Sequence, residues 1–145
     1  MKLISKNNVD TKLILSKHGI SRTKFRSDLL SLFYIERSLT VEGILHYFKN
    51  TIDKVTVYRS LESFEIRGLI HKVPDSKNLK RYSLCVEQEC SIDSHNHNHG
   101  HFICHTCNQT FCMQDVNLPR IKSKGFYIQE LKLIAEGYCQ DCYTK

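Results

Sequence analysis

Cysteine and histidine are the residues of this 145-residue chain whose types and spacing could do chemistry. All seven cysteines lie from Cys85 onward, and six of the eight histidines lie from His71 onward. The N-terminus shows no continuous apolar stretch typical of a secretory signal, so we expect a cytoplasmic protein with reduced thiols. An odd cysteine count also argues against a disulfide framework. Thiolate and imidazole together favour zinc or another late, soft metal, so metal ligation is the expected chemistry.

Two CxxC pairs, Cys104/Cys107 and Cys139/Cys142, each place two thiolates about a turn apart. Together they can complete the tetrahedral S₄ site that structural zinc prefers. The chain between them is expected to form a strand at 110–113, a helix at 116–124 and a strand at 127–135, whose ends the metal would hold together. The alternative is two unrelated turns with free thiols. A thioredoxin-like redox role would need one CxxC beside a βαβ pattern, which the sequence lacks.

A second set of possible ligands surrounds the alternating run HNHNHGHFIC at 95–104. In an extended chain, alternation places His97, His99 and His101 on one face. A solvated loop could show the same alternation, so both interpretations stay open for any single histidine. The full set of candidates in this region comprises His71, Cys85, Cys90, His95, His97, His99, His101 and Cys112.

The first half of the chain predicts the elements that must accompany these ligands. Apolar residues at three-to-four spacing predict successive helices, capped at Ser21 or Thr23, at Thr40 and at Asp53. Gly68 is suited to end the last of these helices. Two short β-like runs at 69–73 and 81–84 follow, separated by a turn-rich segment. Helices followed by a hairpin predict a winged helix-turn-helix.

Charge is divided as unevenly as cysteine. Residues 1–84 carry 16 Lys/Arg against 8 Asp/Glu, whereas residues 85–145 carry 5 against 7, so the net charge of +6 is +8 in one part and −2 in the other. Such a basic lobe is typical of a protein that binds DNA. The helix opened by Asp53 would be the recognition helix, although a merely solvated helix face would also fit. Its outward residues include Lys54, Thr56, Tyr58, Arg59 and Arg67.

Taken together, these stretches resemble the Fur family of metal-dependent repressors. The residues that carry the resemblance are GISRTKFR at 19–26, DKVTVYRSLESFEIRGLIHKV at 53–73, the histidine run into FICHTC at 102–107, and GYCQDC at 137–142. The resemblance implies an α+β fold: a winged-helix domain over 1–84 and a small α/β dimerisation domain with a structural zinc over 85–145. It also implies a homodimer and a regulatory metal at the hinge between the two domains.

The resemblance assigns roles residue by residue. Tyr58 and Arg59 fall on the family's base- and backbone-contacting pair, and Thr23 and Arg26 fall on the Thr and Arg that open its second helix. The residues expected to bind DNA are therefore Thr23, Arg26, Lys54, Thr56, Tyr58 and Arg59. The structural zinc ligands fall on Cys104, Cys107, Cys139 and Cys142.

The regulatory site resembles the zinc-sensing branch, Zur, more than the iron-sensing branch. Positions that hold a His and a Glu in the iron branch hold Ser38 and Ser83 in this chain. The expected regulatory ligands are instead His71, Cys85, His99, His101 and Cys112, the last standing where the family usually has a Glu. Two departures are a loop at 86–98 longer than usual, and Asn108 where a Gly commonly follows the first CxxC.

These observations predict a metal-responsive, DNA-binding transcriptional repressor rather than an enzyme. It would sense zinc and bind an inverted-repeat operator as a homodimer, with Zn²⁺ as the structural metal and also as the expected regulatory metal, for which Fe²⁺ and Mn²⁺ are the alternatives. No membrane or small organic substrate is expected, because no apolar run approaches the ~20 residues that a bilayer requires. The alternatives are an iron or peroxide sensor of the same family, a zinc-storage protein, or a zinc enzyme, for which no HExxH motif is visible.

Overall fold

The structure, a computed structural model, describes residues 9–85, 90–91, 94–95 and 99–144. Four helices and a three-stranded sheet form its N-terminal part, and short strands with one final helical turn form its C-terminal part. In chain order the elements are α1 (Thr11–Lys17), α2 (Lys24–Ile35), β1 (Leu39–Thr40), α3 (Val41–Tyr47), α4 (Lys54–Ile66), β2 (Ile70–Val73), β3 (Arg81–Leu84), β4 (Cys90–Ser91), β5 (Ser94–His95), β6 (His99–Cys104), β7 (Thr110–Asn117), β8 (Ile134–Gly137) and α5 (Gln140–Tyr143).

The helices of the N-terminal part begin where the sequence provides a capping side chain. Thr23, Thr40 and Asp53 accept hydrogen bonds from the backbone N–H groups of Arg26, Gly43 and Thr56. These bonds satisfy backbone donors that have no partner within the helix. Gly68 follows α4 with a φ of 75°, a left-handed conformation that a glycine adopts without strain.

A single apolar core joins the helices to the sheet. Residues from α1, α2, α3, α4 and the strands bury their side chains together, and Phe64, Leu15, Leu29 and Ile70 are fully enclosed. The sheet order is β1-β3-β2, with both pairs antiparallel. The connection between β2 and β3 is the wing. This arrangement confirms the predicted winged helix-turn-helix.

The C-terminal part is built around a second three-stranded sheet of order β7-β6-β8. β6 pairs antiparallel with β7 and parallel with β8, so the histidine-rich strand lies in the centre. Antiparallel pairing places His101 opposite Cys112 in the register. β4 and β5 pair with each other in a separate two-stranded sheet.

The prediction of a helix at 116–124 is wrong, and the strand predicted at 127–135 is shorter than expected. β7 continues to Asn117, where it still pairs with His99 across a register shift in β6. Pro119 follows two residues later and lacks the N–H that a helix interior needs. The next regular strand begins only at Ile134. Tertiary pairing with β6 therefore overrides the helical spacing of the apolar residues in this segment.

The segment between β7 and α5 leaves large apolar side chains in solvent. Tyr127 is 100% exposed and Phe126 is 72% exposed, and Ile128, Leu133 and Tyr138 are exposed as well. Exposed apolar surface of this kind is typical of sites at which proteins associate with other molecules. Among the described residues, no helix is both long and apolar enough to cross a membrane.

Candidate functional site

Four cysteines from the two CxxC pairs converge at one end of the C-terminal sheet. Cys104, Cys107, Cys139 and Cys142 place their sulfur atoms within 4.8 Å of one another, and the sulfurs of Cys107 and Cys139 are 4.0 Å apart. A tetrahedral zinc with Zn–S bonds of about 2.3 Å requires sulfur-to-sulfur distances of about 3.8 Å. The donor set and its spacing therefore fit a tetrahedral S₄ metal site.

Backbone geometry prepares the first of these thiols for a metal. Burial acts to raise the pKa of the Cys104 thiol, but hydrogen bonds from the backbone N–H groups of Cys139, Cys107 and Thr106 outweigh it and lower this pKa to about 6. The shared hydrogen bond with Cys139, helped by burial, raises the pKa of Cys142 to about 12. Thiolates packed this closely repel one another, and a divalent cation would neutralise that repulsion.

Asn108 shows why the chain tolerates a departure from the usual glycine after the first CxxC. Its φ is 57°, in the left-handed region where asparagine is one of the few non-glycine residues that occur. Its backbone N–H donates to the carbonyl of Cys104, which closes the turn that carries the two thiols. The substitution keeps the turn because it keeps the conformation.

A second group of metal-binding side chains lies between the two parts of the molecule. His71 on β2 belongs to the wing sheet, whereas His99 and His101 on β6 and Cys112 on β7 belong to the C-terminal sheet. One donor atom from each lies within 4.8 Å of the others, and His71 Nε2 is 3.4 Å from the Cys112 sulfur. We call this group the hinge cluster. Three imidazoles and one thiolate at this spacing fit a tetrahedral late-metal site.

Cys85 approaches His71 from the other side of the ring. Its sulfur lies 3.5 Å from Nδ1 of His71, whereas Cys112 faces Nε2. The structure therefore brings four of the five expected regulatory ligands into one group and places Cys85 behind one of them. A metal-bound imidazole is normally held in orientation by a partner at its other nitrogen, and Cys85 occupies that position for His71.

Of the other candidate ligands, Cys90 and His95 lie in β4 and β5, opposite each other in the register. His97 lies outside the described residues. Whether any of these three binds metal stays a prediction.

The outward face of α4 carries the residues expected to contact DNA. Lys54, Val55 and Arg59 are exposed, and Tyr58 is half-buried. The ammonium groups of Lys54 and Lys80 lie 6.0 and 5.5 Å from the centre of the Tyr58 ring. Lys54 and Lys80 therefore place two ammonium groups around Tyr58, and Arg59 is exposed on the same helix, a distribution suited to phosphate and base contacts.

Three of the expected DNA-binding side chains are already engaged within the protein. Thr56 donates its hydroxyl to Asp53 at 2.9 Å, and Thr23 caps α2 through its own hydroxyl. Arg26 donates to the carbonyl and hydroxyl oxygens of Ser21. These bonds fix the starts of α2 and α4, so the three residues position the helices whatever they contact beyond them.

Sequence reasoning missed Lys80 and the polar residues that join the two domains. Lys80 is one residue before β3, and only the fold of the wing brings it over Tyr58. The joining residues include Ser38, Arg81 and Gln109, which are linked by hydrogen bonds. Their polar character is ordinary at the sequence level, and no motif marks them.

Comparison with known proteins identifies the family. The model of the ferric uptake regulator family matches residues 17–135. The chain belongs to the ferric uptake regulator family. Members of this family are metal-dependent, DNA-binding transcriptional regulators and not enzymes, which confirms the predicted family, fold class and non-enzymatic nature of the chain.

Individual relatives agree with this assignment. The ferric uptake regulation proteins of Staphylococcus epidermidis and Staphylococcus aureus are each 28% identical to the chain, covering 96% and 94% of it and 98% of each relative. A solved zinc uptake regulator bound to zinc and DNA matches with a TM-score of 0.60 at 21% identity, over 92% of this chain and 90% of that one. The Vibrio cholerae ferric uptake regulator matches with a TM-score of 0.56 at 17% identity, over 90% and 100%.

Replacing Cys107 with Ser should remove the metal from the tetracysteine site and unfold the C-terminal sheet around it. Structural zinc contributes roughly 10 kcal/mol or more of apparent binding free energy to a small domain. Elemental analysis of the purified variant should show one metal equivalent fewer per chain, and gel filtration should show loss of the dimer. The matched control is Cys85→Ser, which lies outside the site. A Cys107→Ser protein that has lost this metal and still forms the dimer would contradict the structural role of the metal.

Proposed function

We propose that this chain is a zinc-responsive transcriptional repressor that binds an inverted-repeat operator as a homodimer when zinc occupies the hinge cluster. The observation that carries the proposal is the origin of the four donors. His71 comes from the DNA-binding domain, and the other three come from the C-terminal domain. Occupancy of this one site therefore constrains how the two domains are arranged.

The donor chemistry favours zinc over iron as the regulatory metal. The cluster has three imidazoles and one thiolate, and no carboxylate belongs to it among the described residues. Imidazole and thiolate donors suit zinc, whereas the common non-haem Fe²⁺ site includes a carboxylate and Mn²⁺ prefers oxygen donors. Ser38 and Ser83, at the positions of the iron-branch His and Glu, are both hydrogen-bonded within the protein. Iron remains the second candidate because the staphylococcal relatives are named ferric uptake regulation proteins.

In this proposal, zinc regulates operator binding by limiting how far the two domains can move relative to each other. Two recognition helices reach both halves of one operator only when the wing domains of the dimer are correctly spaced. Closing the hinge cluster holds His71, and with it β2 and α4, against the C-terminal sheet. DNA binding then loses less conformational freedom, so affinity rises through pre-organisation. Coupling free energies of about 1–3 kcal/mol are usual for such linked sites and correspond to roughly 5- to 150-fold in affinity.

The exposed apolar segment between β7 and α5 supports the dimer in this proposal. Phe126, Tyr127 and Ile128 project into solvent on a surface away from the core of the winged helix. Burying apolar surface at about 25 cal/mol per Å² is the main driving force for association. A second copy of the chain is the partner that would present the same surface and give two-fold symmetry.

The hinge cluster can be tested by comparing two cysteine variants. Cys112→Ser should lose the second zinc equivalent and the zinc-stimulated part of DNA binding, because it removes the one thiolate of the cluster. Cys85→Ser keeps a hydroxyl that can bond Nδ1 of His71, so it should retain that zinc with an affinity weakened roughly 10- to 100-fold at most. Zinc titration followed by fluorescence anisotropy of a labelled operator measures both. If Cys112→Ser responds to zinc like wild type, the proposed ligand set is wrong.

If α4 is the recognition helix, substitutions at Arg59 and Lys54 should weaken DNA binding in two different ways. Arg59→Ala should cost about 1–3 kcal/mol on the operator and little on other sequences, because a bidentate contact with guanine is specific. Lys54→Ala should weaken binding to all sequences about equally and reduce the salt dependence, because it removes a phosphate contact. Binding isotherms at several salt concentrations on operator and random DNA measure both effects. Wild-type behaviour of both variants would mean that another element reads the operator.

A further inference from the structure

A second connection between the two domains involves no metal ligand. Ser38, which directly precedes β1 and is 1% exposed, donates its hydroxyl to Oε1 of Gln109 at 3.1 Å. The same hydroxyl oxygen accepts from Arg81 Nη1 at 3.0 Å and from the backbone N–H of Thr110 at 3.1 Å. The Ser38 backbone N–H also donates to Gln109 Oε1, at 3.1 Å. All the hydrogen-bonding capacity of this hydroxyl is thus used, and its bonds with Gln109 and Thr110 join the winged helix to the C-terminal part.

Neighbouring bonds complete this connection, which we call the polar clasp and define by Ser38, Asp75, Arg81, Gln109 and Thr110. Arg81 is held by Asp75 through an Nε-to-Oδ1 bond of 2.7 Å, with the two side chains 11% and 2% exposed. The Thr110 hydroxyl donates to the carbonyl of Pro74 at 2.7 Å. Bonds shielded from water in this way, one of them between charged groups, are stronger than exposed ones.

Gln109 also belongs to the tetracysteine site. Its backbone N–H donates to the Cys107 sulfur, and its carbonyl accepts from the backbone N–H of Cys104 at 3.1 Å. The backbone of this residue is therefore set by the first CxxC turn, and its side chain holds the wing domain through Ser38. One residue bridges the S₄ donor set and the DNA-binding half of the chain.

We propose that Gln109 is a positioning residue that transmits the folded state of the tetracysteine site to the winged-helix domain and holds the two domains together before the hinge cluster is filled. This inference rests on the proposed function for its consequence, since the same domain arrangement that closes the clasp brings His71 to Cys112. The clasp raises the population of the closed arrangement. Both zinc at the hinge and the operator then bind to a form that already exists.

Two substitutions of Gln109 distinguish the effect of its hydrogen-bond acceptor from the effect of its side-chain size. Gln109→Met keeps the length of the side chain and removes the acceptor, whereas Gln109→Glu keeps an acceptor for the N–H and O–H of Ser38. Hydrogen exchange of the Ser38 and Thr110 amides reports the clasp directly, because both N–H groups donate within it. The measurement uses the full chain carrying one or two zinc equivalents, verified by elemental analysis, and it requires no DNA.

With one zinc per chain, Gln109→Met should exchange these amides at least about two- to ten-fold faster than wild type, because it removes the acceptor of two hydrogen bonds and the net contribution of one alone corresponds to that range. Gln109→Glu should exchange like wild type. With two zincs the difference should shrink, because the hinge cluster then closes the domains. In parallel, the operator affinity of the one-zinc Gln109→Met protein should fall by the same factor, and the zinc concentration for half-maximal binding should rise.

A second pair of variants tests whether the faster exchange comes from loss of the clasp and not from a folding defect caused by the substitution of Gln109. Ser38→Ala should reproduce the faster exchange at Thr110, whereas Ser31→Ala, which removes a hydroxyl that bonds the Ser27 carbonyl within α2, should not. Equal exchange in wild type and Gln109→Met, or equal acceleration by Met and Glu, would overturn the proposal. If wild type itself fails to bind an operator more tightly with zinc, the proposed function fails, and the exchange data still decide the role of Gln109.

Discussion

The arrangement of this protein depends on bringing ligands from two separately folded domains to within one metal's reach. His71 is fixed by the wing sheet, and Cys112 by the strand that follows the first CxxC turn, yet Nε2 of one lies 3.4 Å from the sulfur of the other. Each part of the chain has its own three-stranded sheet, and the winged helix has its own apolar core. Hydrogen bonds of Ser38 and Pro74 with Gln109 and Thr110 join the two parts at the hinge where we propose that the metal binds.

Two kinds of interaction act on that hinge with different physical character. Metal coordination depends on the metal concentration and on pH, because thiolate and imidazole must be deprotonated to bind. The polar clasp is formed by protein groups alone, so it does not depend on the metal concentration. Desolvation acts to raise the pKa of the Asp75 carboxyl, but hydrogen bonds from Arg81 and two backbone N–H groups outweigh it and lower that pKa, so the ion pair is intact at neutral pH. In the mechanism that we propose, the polar clasp sets the arrangement of the two parts without metal, and the metal at the hinge cluster adds the response.

The sequence predicted the winged helix well because its signals are local. Caps at Thr23, Thr40 and Asp53 and the glycine at position 68 are each recognised within a few residues of the chain. It failed at 116–124 because the pairing of β7 with β6 depends on a strand more than ten residues earlier in the chain. Local apolar spacing carries no information about such a partner.

Residue type alone identified the candidate ligands, but only the fold shows which of them lie together. The tetracysteine set follows from two CxxC pairs, whose spacing specifies it almost completely. Cys85 was expected beside Cys112, but the two thiols face opposite nitrogens of His71, a difference of ring orientation that no sequence pattern encodes. Gln109 was missed for a related reason, since its role comes from a partner 71 positions away.

The proposed regulation requires the second metal to be zinc, bound by both parts of the chain through three imidazoles and one thiolate. X-ray absorption spectroscopy at the zinc edge, on protein with one and then two zinc equivalents per chain, measures the ligands of each in turn. The first zinc should show four sulfur ligands. The difference on adding the second should show three nitrogen ligands and one sulfur, in step with the rise in operator affinity. A second zinc with only oxygen and nitrogen ligands, or one that leaves operator affinity unchanged, would show that the hinge cluster is not the zinc-sensing site.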